Sequence, residues 1–286
     1  MNGIGRSILQ RLAAVRHRWR PDHDDRGVDK AALRRAGIST AYAQNLVRLD
    51  YGPANIVLHV TSELERRYRA TNCKKEPWTV RWLEQYVHAG DVVYDIGANV
   101  GTFSLIAALG RGASVVAFEP GYANFARLCE NIWLNSCNEL ILPVPLPLLD
   151  KTAQTRFRYR TLEPGQSRHV IDAVDAPVRS PKQLYGVEQM MCGIRLDEAR
   201  VLFSLPNPNH IKLDVDGTEL RALNGALETL SATSLKSVLI EADPDGWPRI
   251  EQVLSDAGLS VVREIRRDGA PLYAIAERRG CPERPT

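Results

Sequence analysis

Val92-Val93-Tyr94-Asp95-Ile96-Gly97-Ala98-Asn99-Val100-Gly101 is an apolar run that ends in an acid and passes into a glycine-rich turn. A second apolar run, Ala113 to Phe118, ends in Glu119-Pro120, so that Glu119 lies 24 residues after Asp95. The pattern predicts a strand, a turn, a helix and a strand, with a carboxylate at the tip of each strand. In an open parallel sheet such tips face the crevice where ligands bind. Gly97 and Gly101 let the backbone approach a ligand and the next helix closely, and free N–H groups open that helix. A unit of this kind takes a cofactor that carries a nucleoside.

Outward from this unit, strand and helix alternate. Strands are predicted over 92–96, 114–119, 140–145, 210–215 and 236–241, and helices over 101–109, 122–136, 218–230 and 248–257. A closing pair, 259–265 and 271–277, surrounds Asp268-Gly269, a hairpin signal. Upstream, Ala54 to Val60 reads as a strand, and Glu76-Pro77-Trp78 begins a helix with proline just inside its start. The alternation implies an α/β fold with a mostly parallel sheet and an antiparallel end. From Pro143 to about Leu196 the rhythm breaks: the alternating Thr155 to Arg160 suggests an exposed strand, and Glu163-Pro164-Gly165-Gln166 a turn. The expected organisation is an N-terminal helical extension over 1–53 and one domain over 54–286, with an insertion or lid at about 150–195.

Hydrophobic residues at 44% and charged residues at 25% of 286 positions permit a full core. Residues 1–50 hold ten Arg or Lys and five Asp, a balance of +5 within a total of +3, so the remainder carries −2. A nearly neutral catalytic region argues against nucleic acid as a partner. Cys73, Cys129, Cys137, Cys192 and Cys281 are scattered and never form a CxxC pair, which suggests neither a disulfide framework nor a zinc site and points to the cytoplasm. Neither a transmembrane run nor a secretory signal is expected. Ile4 to Arg20 reads as a basic amphipathic helix. It suits a weak contact with an anionic membrane surface or acidic partner, or packing on the body or on the second subunit of a homodimer.

Two cofactors compete for the glycine turn. A dinucleotide site wants GxGxxG beneath a pyrophosphate, but Asn99 stands where the second glycine belongs. Asp95 before the turn suits a cationic ligand, and S-adenosylmethionine offers an ammonium, a sulfonium and no phosphate. By charge the methyl donor fits better. Asp95-Ile-Gly-Ala-Asn-Val-Gly101, Glu119-Pro120 and Lys212-Leu-Asp-Val-Asp-Gly-Thr-Glu219 together resemble the FkbM-type family of S-adenosylmethionine-dependent methyltransferases. Lys75-Glu76-Pro77 with Thr79, Asn131 with Asn135, and Leu196-Asp197 add to the resemblance, which runs from Ala54 to Asp243 and leaves out residues 1–50. The family usually has Glu at the position of Asp216, so this carboxylate is one methylene shorter. The resemblance implies a Rossmann-like class I methyltransferase fold, a seven-stranded sheet with helices on both faces. It also implies a cofactor site built from Glu76, Thr79, Asp95, Gly97, Ala98, Asn99, Gly101, Thr102, Glu119 and Pro120.

On strand 210–215, Lys212 and Asp214 share a face, with Asp216 just past the end, while Ile211, Leu213 and Val215 take the other face. In the methyltransferase topology this strand lies between those ending in Asp95 and Glu241. A cluster of Asp95, Lys212, Asp214, Asp216 and Glu241 at one sheet edge follows. Asp214 is the candidate general base or orienting group, and Lys212 its positioner or a holder of substrate charge; Asp216 and Glu241 would hydrogen-bond substrate hydroxyls. The competing reading makes Lys212 and Asp214 a structural ion pair between strands. His210 is an alternative base, although it begins the strand, and Glu219 either favours a helix dipole or serves the site. Trp78, Trp82 and Tyr86 fall at helical spacing and read as core. Arg156, Arg158, Arg160, Arg168 and His169 of the insertion either read an anionic group or form a solvated face. No metal motif is present.

The expected activity is transfer of a methyl group to a hydroxyl of a small molecule; the resemblance suggests a sugar, a glycolipid headgroup or a polyketide-like metabolite. The alternatives are a nicotinamide-dependent oxidoreductase or epimerase, against which Asn99 and the lack of a Tyr-x-x-x-Lys pair count, and a binding protein that keeps the fold without turnover.

Overall fold

The structure, a computed structural model, describes residues 39–173, 187–266 and 270–278. The stretch Ile4 to Arg20 and the Asp268-Gly269 turn lie outside the described residues. The strands are β1 (Leu46–Arg48), β2 (Val57–His59), β3 (Val92–Ile96), β4 (Ser114–Phe118), β5 (Ile141–Val144), β6 (Ala153–Tyr159), β7 (Val170–Ala173), β8 (Val187–Gly193), β9 (His210–Leu213), β10 (Ser237–Ala242), β11 (Leu259–Ile265) and β12 (Leu272–Arg278). The helices are α1 (Thr40–Ala43), α2 (Asn72–Lys75), α3 (Pro77–Tyr86), α4 (Thr102–Leu105), α5 (Tyr122–Leu134), α6 (Leu196–Leu202), α7 (Glu219–Asn224), α8 (Leu227–Ser231) and α9 (Trp247–Asp256). The main sheet has seven strands in the order β11, β12, β10, β9, β3, β4, β5. Its strands are parallel from β10 to β5, and β12 runs antiparallel to both neighbours. This is the Rossmann-like class I arrangement with its antiparallel end.

The apolar run of β3 is buried on both faces because helices cover both. Tyr94 and Ile96 pack with Phe118, Leu213 and Ile240 against Leu223, Leu230 and Ile250 from α7, α8 and α9. Val93 packs the other way, with Val115, Ala117 and Leu239, against Trp82 and Leu83 of α3 and Leu128 of α5. Alternate residues thus feed two cores, each large side chain contributing about 1.5–3 kcal/mol by burial.

Several elements differ from the sequence reading. Within residues 1–50, taken as helical, Leu46–Arg48 is instead a strand paired antiparallel with β2. Leu46, Leu49 and Tyr51 are buried, and that burial decides the conformation. Among the described residues the outer side of β2 has no strand partner, and α5 supplies one in side-chain form. Asn131 Oδ1 accepts from His59 N at 2.9 Å, and Asn135 bonds both Val57 N at 2.9 Å and Val57 O at 2.7 Å. The helix expected over 101–109 widens after Leu105 into a π-helical turn, Ile106–Gly110. The helix expected over 218–230 divides at Gly225, where a Cβ would stand 2.0 Å from Leu149 O. Asp197 caps the second piece, accepting from Glu228 N, Thr229 N and Thr229 Oγ1 at 2.7–3.0 Å.

The insertion is a separate antiparallel sheet in the order β7, β6, β8. Its central strand was expected to be exposed, yet Phe157, Arg158 and Tyr159 are buried. Among the described residues no helix is long and apolar enough to cross a membrane.

Candidate active site

The carboxyl ends of β3, β4, β9 and β10 open into one cavity of about 360 Å³, within the usual range for small-molecule sites. Of the ten expected cofactor residues, Glu76, Gly97, Asn99, Glu119 and Pro120 line it. Thr79, Asp95, Ala98, Gly101 and Thr102 are buried and are not among its lining residues. Of the four expected transfer residues, Asp214, Asp216 and Glu241 line the cavity and Lys212 lies beneath.

The glycine turn is built by close approach. Gly97 has φ +85°, and a Cβ there would sit 1.8 Å from Asp214 O, so the tip of β3 rests on the tip of β9. Asn99 also occupies the left-handed region, at φ +53°. Its N–H donates to Glu119 Oε2 and that of Gly121 to Glu119 Oε1, both at 2.8 Å. Burial nevertheless outweighs these amides and pushes the Glu119 carboxyl up to about 7. Every amide of the turn is engaged within the protein: Gly97 and Ala98 donate to Phe118 O, Asn99 to Glu119, Val100 to Asn99 Oδ1 and Gly101 to Ala98 O. A pyrophosphate needs such amides free, so the turn is not a dinucleotide cradle.

Asp95, expected to face the ligand, turns inward. Its Oδ2 accepts from Ser104 Oγ at 2.6 Å, and its Oδ1 lies 3.4 Å from Lys212 Nζ. Lys212 also reaches Asp214 Oδ2 at 3.2 Å. Burial works to lower this lysine, but Asp214, Asp95 and Glu76 outweigh it and hold it well above the ordinary value. Lys212 therefore stays an ammonium and ties β3 to β9, while Asp214 extends from it to the cavity. Burial, and then Asp214, push Glu241 up to about 8. Asp216 has φ +55°, and its Oδ2 accepts from Arg168 N at 2.5 Å; burial raises its carboxyl. The shorter carboxylate is thus engaged by the insertion.

Other candidates fall away from the cavity. His210 sits at the opposite end of β9, between Ser237 Oγ at 2.8 Å and Asp91 Oδ2 at 3.2 Å. Glu219 accepts from Gly217 N at 2.7 Å and so stabilises its own turn. Trp82 is core, and Trp78 packs at a tilt against Tyr273 with ring centroids 4.7 Å apart. Arg158 is neutralised by Asp172 and Glu188, both at 2.9 Å, and Arg156 pairs with Glu188. Arg168 and His169 do line the cavity.

Sequence reasoning missed three participants. Tyr273 lies directly across from Glu241 in the β10–β12 pair, a relation only the register reveals. Gln166 O accepts from Asn99 Nδ2 at 2.8 Å and Asn124 Nδ2 at 3.0 Å, fastening the insertion's turn to the glycine turn. Arg69 lines the cavity but in the sequence is one of several arginines in a charged run. Among the described residues no group of three or more His, Cys, Asp or Glu side chains is arranged to hold a metal ion.

The donor set suits S-adenosylmethionine. Five carboxylates line the cavity (Glu76, Glu119, Asp214, Asp216, Glu241), against Arg69, Lys75 and Arg168 as cations. Glu76 Oε2 is buried without a hydrogen-bond partner among the described residues, as expected of a group kept for a cationic ligand. Phe118, Pro120, Leu146, Leu148 and Phe157 add an apolar slot for a flat base.

Fold and site together define a class I methyltransferase that uses S-adenosylmethionine. A family model described as the methyltransferase FkbM domain matches residues 95–261, more than half of the chain. The chain belongs to the FkbM methyltransferase family. It is 27% identical over 207 residues to the hexuronic acid methyltransferase AglP of Haloferax volcanii, covering 72% of this chain and 79% of that one. Among solved structures, magnesium protoporphyrin IX methyltransferase from Synechocystis PCC 6803 with bound SAM aligns at TM-score 0.44 and 16% identity, over 90% of this chain and 100% of that chain. Precorrin-6y C5,15-methyltransferase from Geobacter metallireducens GS-15 aligns at TM-score 0.42 and 14% identity, over 72% and 88%.

Proposed function

We propose that this methyltransferase acts on a sugar hydroxyl, with Asp214 as the general base. The observation that carries the reading is Asp214 itself. It stands at the tip of β9 in the cavity wall, held from below by an ammonium that keeps its proton. When bound, S-adenosylmethionine supplies a methyl carbon on a positive sulfur, open to in-line attack by an acceptor oxygen. Asp214 takes the acceptor's hydroxyl proton, and Lys212 orients Asp214. Glu241, pushed up to about 8, keeps its proton at neutral pH and donates to a neighbouring acceptor oxygen. Asp216 accepts from another acceptor hydroxyl through its free oxygen. Glu119 accepts from the ribose hydroxyls and Glu76 from the ammonium. Gly97, Asn99 and Pro120 shape the same wall, with Thr79, Asp95, Ala98, Gly101 and Thr102 as its backing. The described part of the insertion, 150–173 and 187–195, acts as a lid that keeps water out. The similarity to a relative named for a hexuronic acid supports a sugar as acceptor.

Isothermal titration should show binding of S-adenosylmethionine and none of NAD; the reverse would overturn the reading. Asp214→Asn should keep donor affinity within about threefold and lower kcat at least about 100-fold, measured by transfer of an isotope-labelled methyl group. We further place the protein in the cytoplasm, which suits the unpaired Cys73, Cys129, Cys137 and Cys192. The basic stretch Ile4 to Arg20 contacts an anionic membrane surface or a second subunit; vesicle sedimentation and light scattering distinguish these.

A further inference from the structure

Arg69 ends the π-helical turn Glu65–Arg69 and lines the cavity. Its Nε donates to Gly165 O at 2.7 Å. Among the described residues no carboxylate lies within ion-pair distance of its guanidinium, although Glu76, Asp214, Asp216 and Glu119 all act on it from farther away. Lys75, Lys212 and Arg127 differ. Lys75 pairs with Glu76 at 3.0 Å, Lys212 with Asp95 and Asp214, and Arg127 with Glu65 and Glu130. An unpaired cation in a partly buried cavity is costly unless a ligand completes it.

The group is also held in place. Gly165, its anchor, donates to Asn124 Oδ1 at 2.8 Å, and the next residue is fastened to Asn99 and Asn124. A guanidinium fixed through Nε presents its two terminal nitrogens as a fork, which matches the two oxygens of a carboxylate. Asp214 and Asp216, the acids assigned to the acceptor's hydroxyls, are among the carboxylates that act on it. A negatively charged acceptor entering beside these acids is repelled unless a cation meets it.

We propose that Arg69 binds a carboxylate of the acceptor, so that the enzyme selects an acidic sugar over its neutral counterpart. The inference rests on reading the cavity as a methyl-transfer site. Arg168, exposed at the cavity wall with its N–H on Asp216, adds positive potential along the same approach.

The test uses the full chain, labelled donor and a matched pair of acceptors, a glucuronide and the corresponding glucoside. The wild type should favour the acid in kcat/KM. Arg69→Gln should lower the acid-to-neutral ratio at least about thirtyfold, mainly through KM, with the donor Kd within about twofold. Arg69→Lys, which keeps a cation on a similar stem, should recover part of the ratio. It also carries the test if the glutamine variant melts early. An unchanged ratio in R69Q, no preference for the acid in the wild type, or turnover of neither sugar overturns the inference. So does a loss of donor affinity in R69Q, which assigns the guanidinium to the donor's own carboxylate. Failure of the wild type to bind the donor at all overturns instead the methyl-transfer reading beneath it.

Discussion

A carboxyl group buried in a protein titrates differently from one in water, and Glu119 and Glu241 show the consequence. Burial is the largest cause of both shifts, to about 7 and about 8. In the unfolded chain both titrate near about 4.3. The folded protein therefore binds more protons than the unfolded one between about pH 4.3 and about pH 8, and their contribution to stability is lost as pH rises through that window. A sulfonium ligand favours the ionised form of Glu119, the carboxyl assigned to the donor. Donor affinity should accordingly rise from about pH 6 to about pH 8 with release of protons, and S-adenosylhomocysteine should show a weaker trend. Titration calorimetry in two buffers of different ionisation enthalpy checks this; a pH-independent affinity without proton release would contradict it. Acids at strand tips could be recognised in the sequence because position alone sends them to the crevice. Which way each turns could not: Asp95 faces Ser104 and Lys212 rather than the cavity.

At the scale of elements, the glycine turn and the tip of β9 are one unit. Gly97→Ala adds a methyl 1.8 Å from Asp214 O at φ +85°, so backbone must move. The expected loss is about 3 kcal/mol or more. Gly217→Ala is the control: φ is +99°, but among the described residues no heavy atom beyond its chain neighbours lies within 4 Å of the added methyl, and about 1–2 kcal/mol is expected. Urea midpoints measure the difference, and equal losses would show that φ alone matters. The strand–helix order was legible from periodicity because each helix must cover one face of the sheet. The break at Gly225 and the cap at Asp197 were not, since both depend on Leu149 and Thr229, which are distant in sequence. The side-chain ladder from Asn131 and Asn135 to β2 is hidden for the same reason.

Over the whole molecule, the insertion belongs with the cofactor half of the site as much as with the acceptor half. Its turn hangs on Asn99, Asn124, Arg69 and Asp216. Asn124→Ala removes two of these bonds and should open the cavity. We expect faster hydrogen exchange and proteolysis across 163–168, and donor dissociation faster by about tenfold, about 1.4 kcal/mol. Unchanged protection and dissociation would mean that the turn stays closed without these bonds. The arginine-rich strand of the insertion did not reveal this arrangement. Alternation marks a strand but not the surface it lies against, and Arg158 proved to be buried between Asp172 and Glu188.

What the chain's own order of residues determined is the class of fold and of ligand. Apolar runs of strand length, glycines where backbone must pass close, and acids at the tips follow from local sterics and charge, and those are written residue by residue. What only the tertiary structure decided is which charges meet. Lys212 is spent on Asp95 and Asp214, the turn's amides are spent within the protein, on Phe118 and Glu119 among others, and Arg69 is left without an acid in reach among the described residues. Electrostatic energy depends on distance through space, and residues far apart in sequence become neighbours only when the sheet closes and the insertion folds over it.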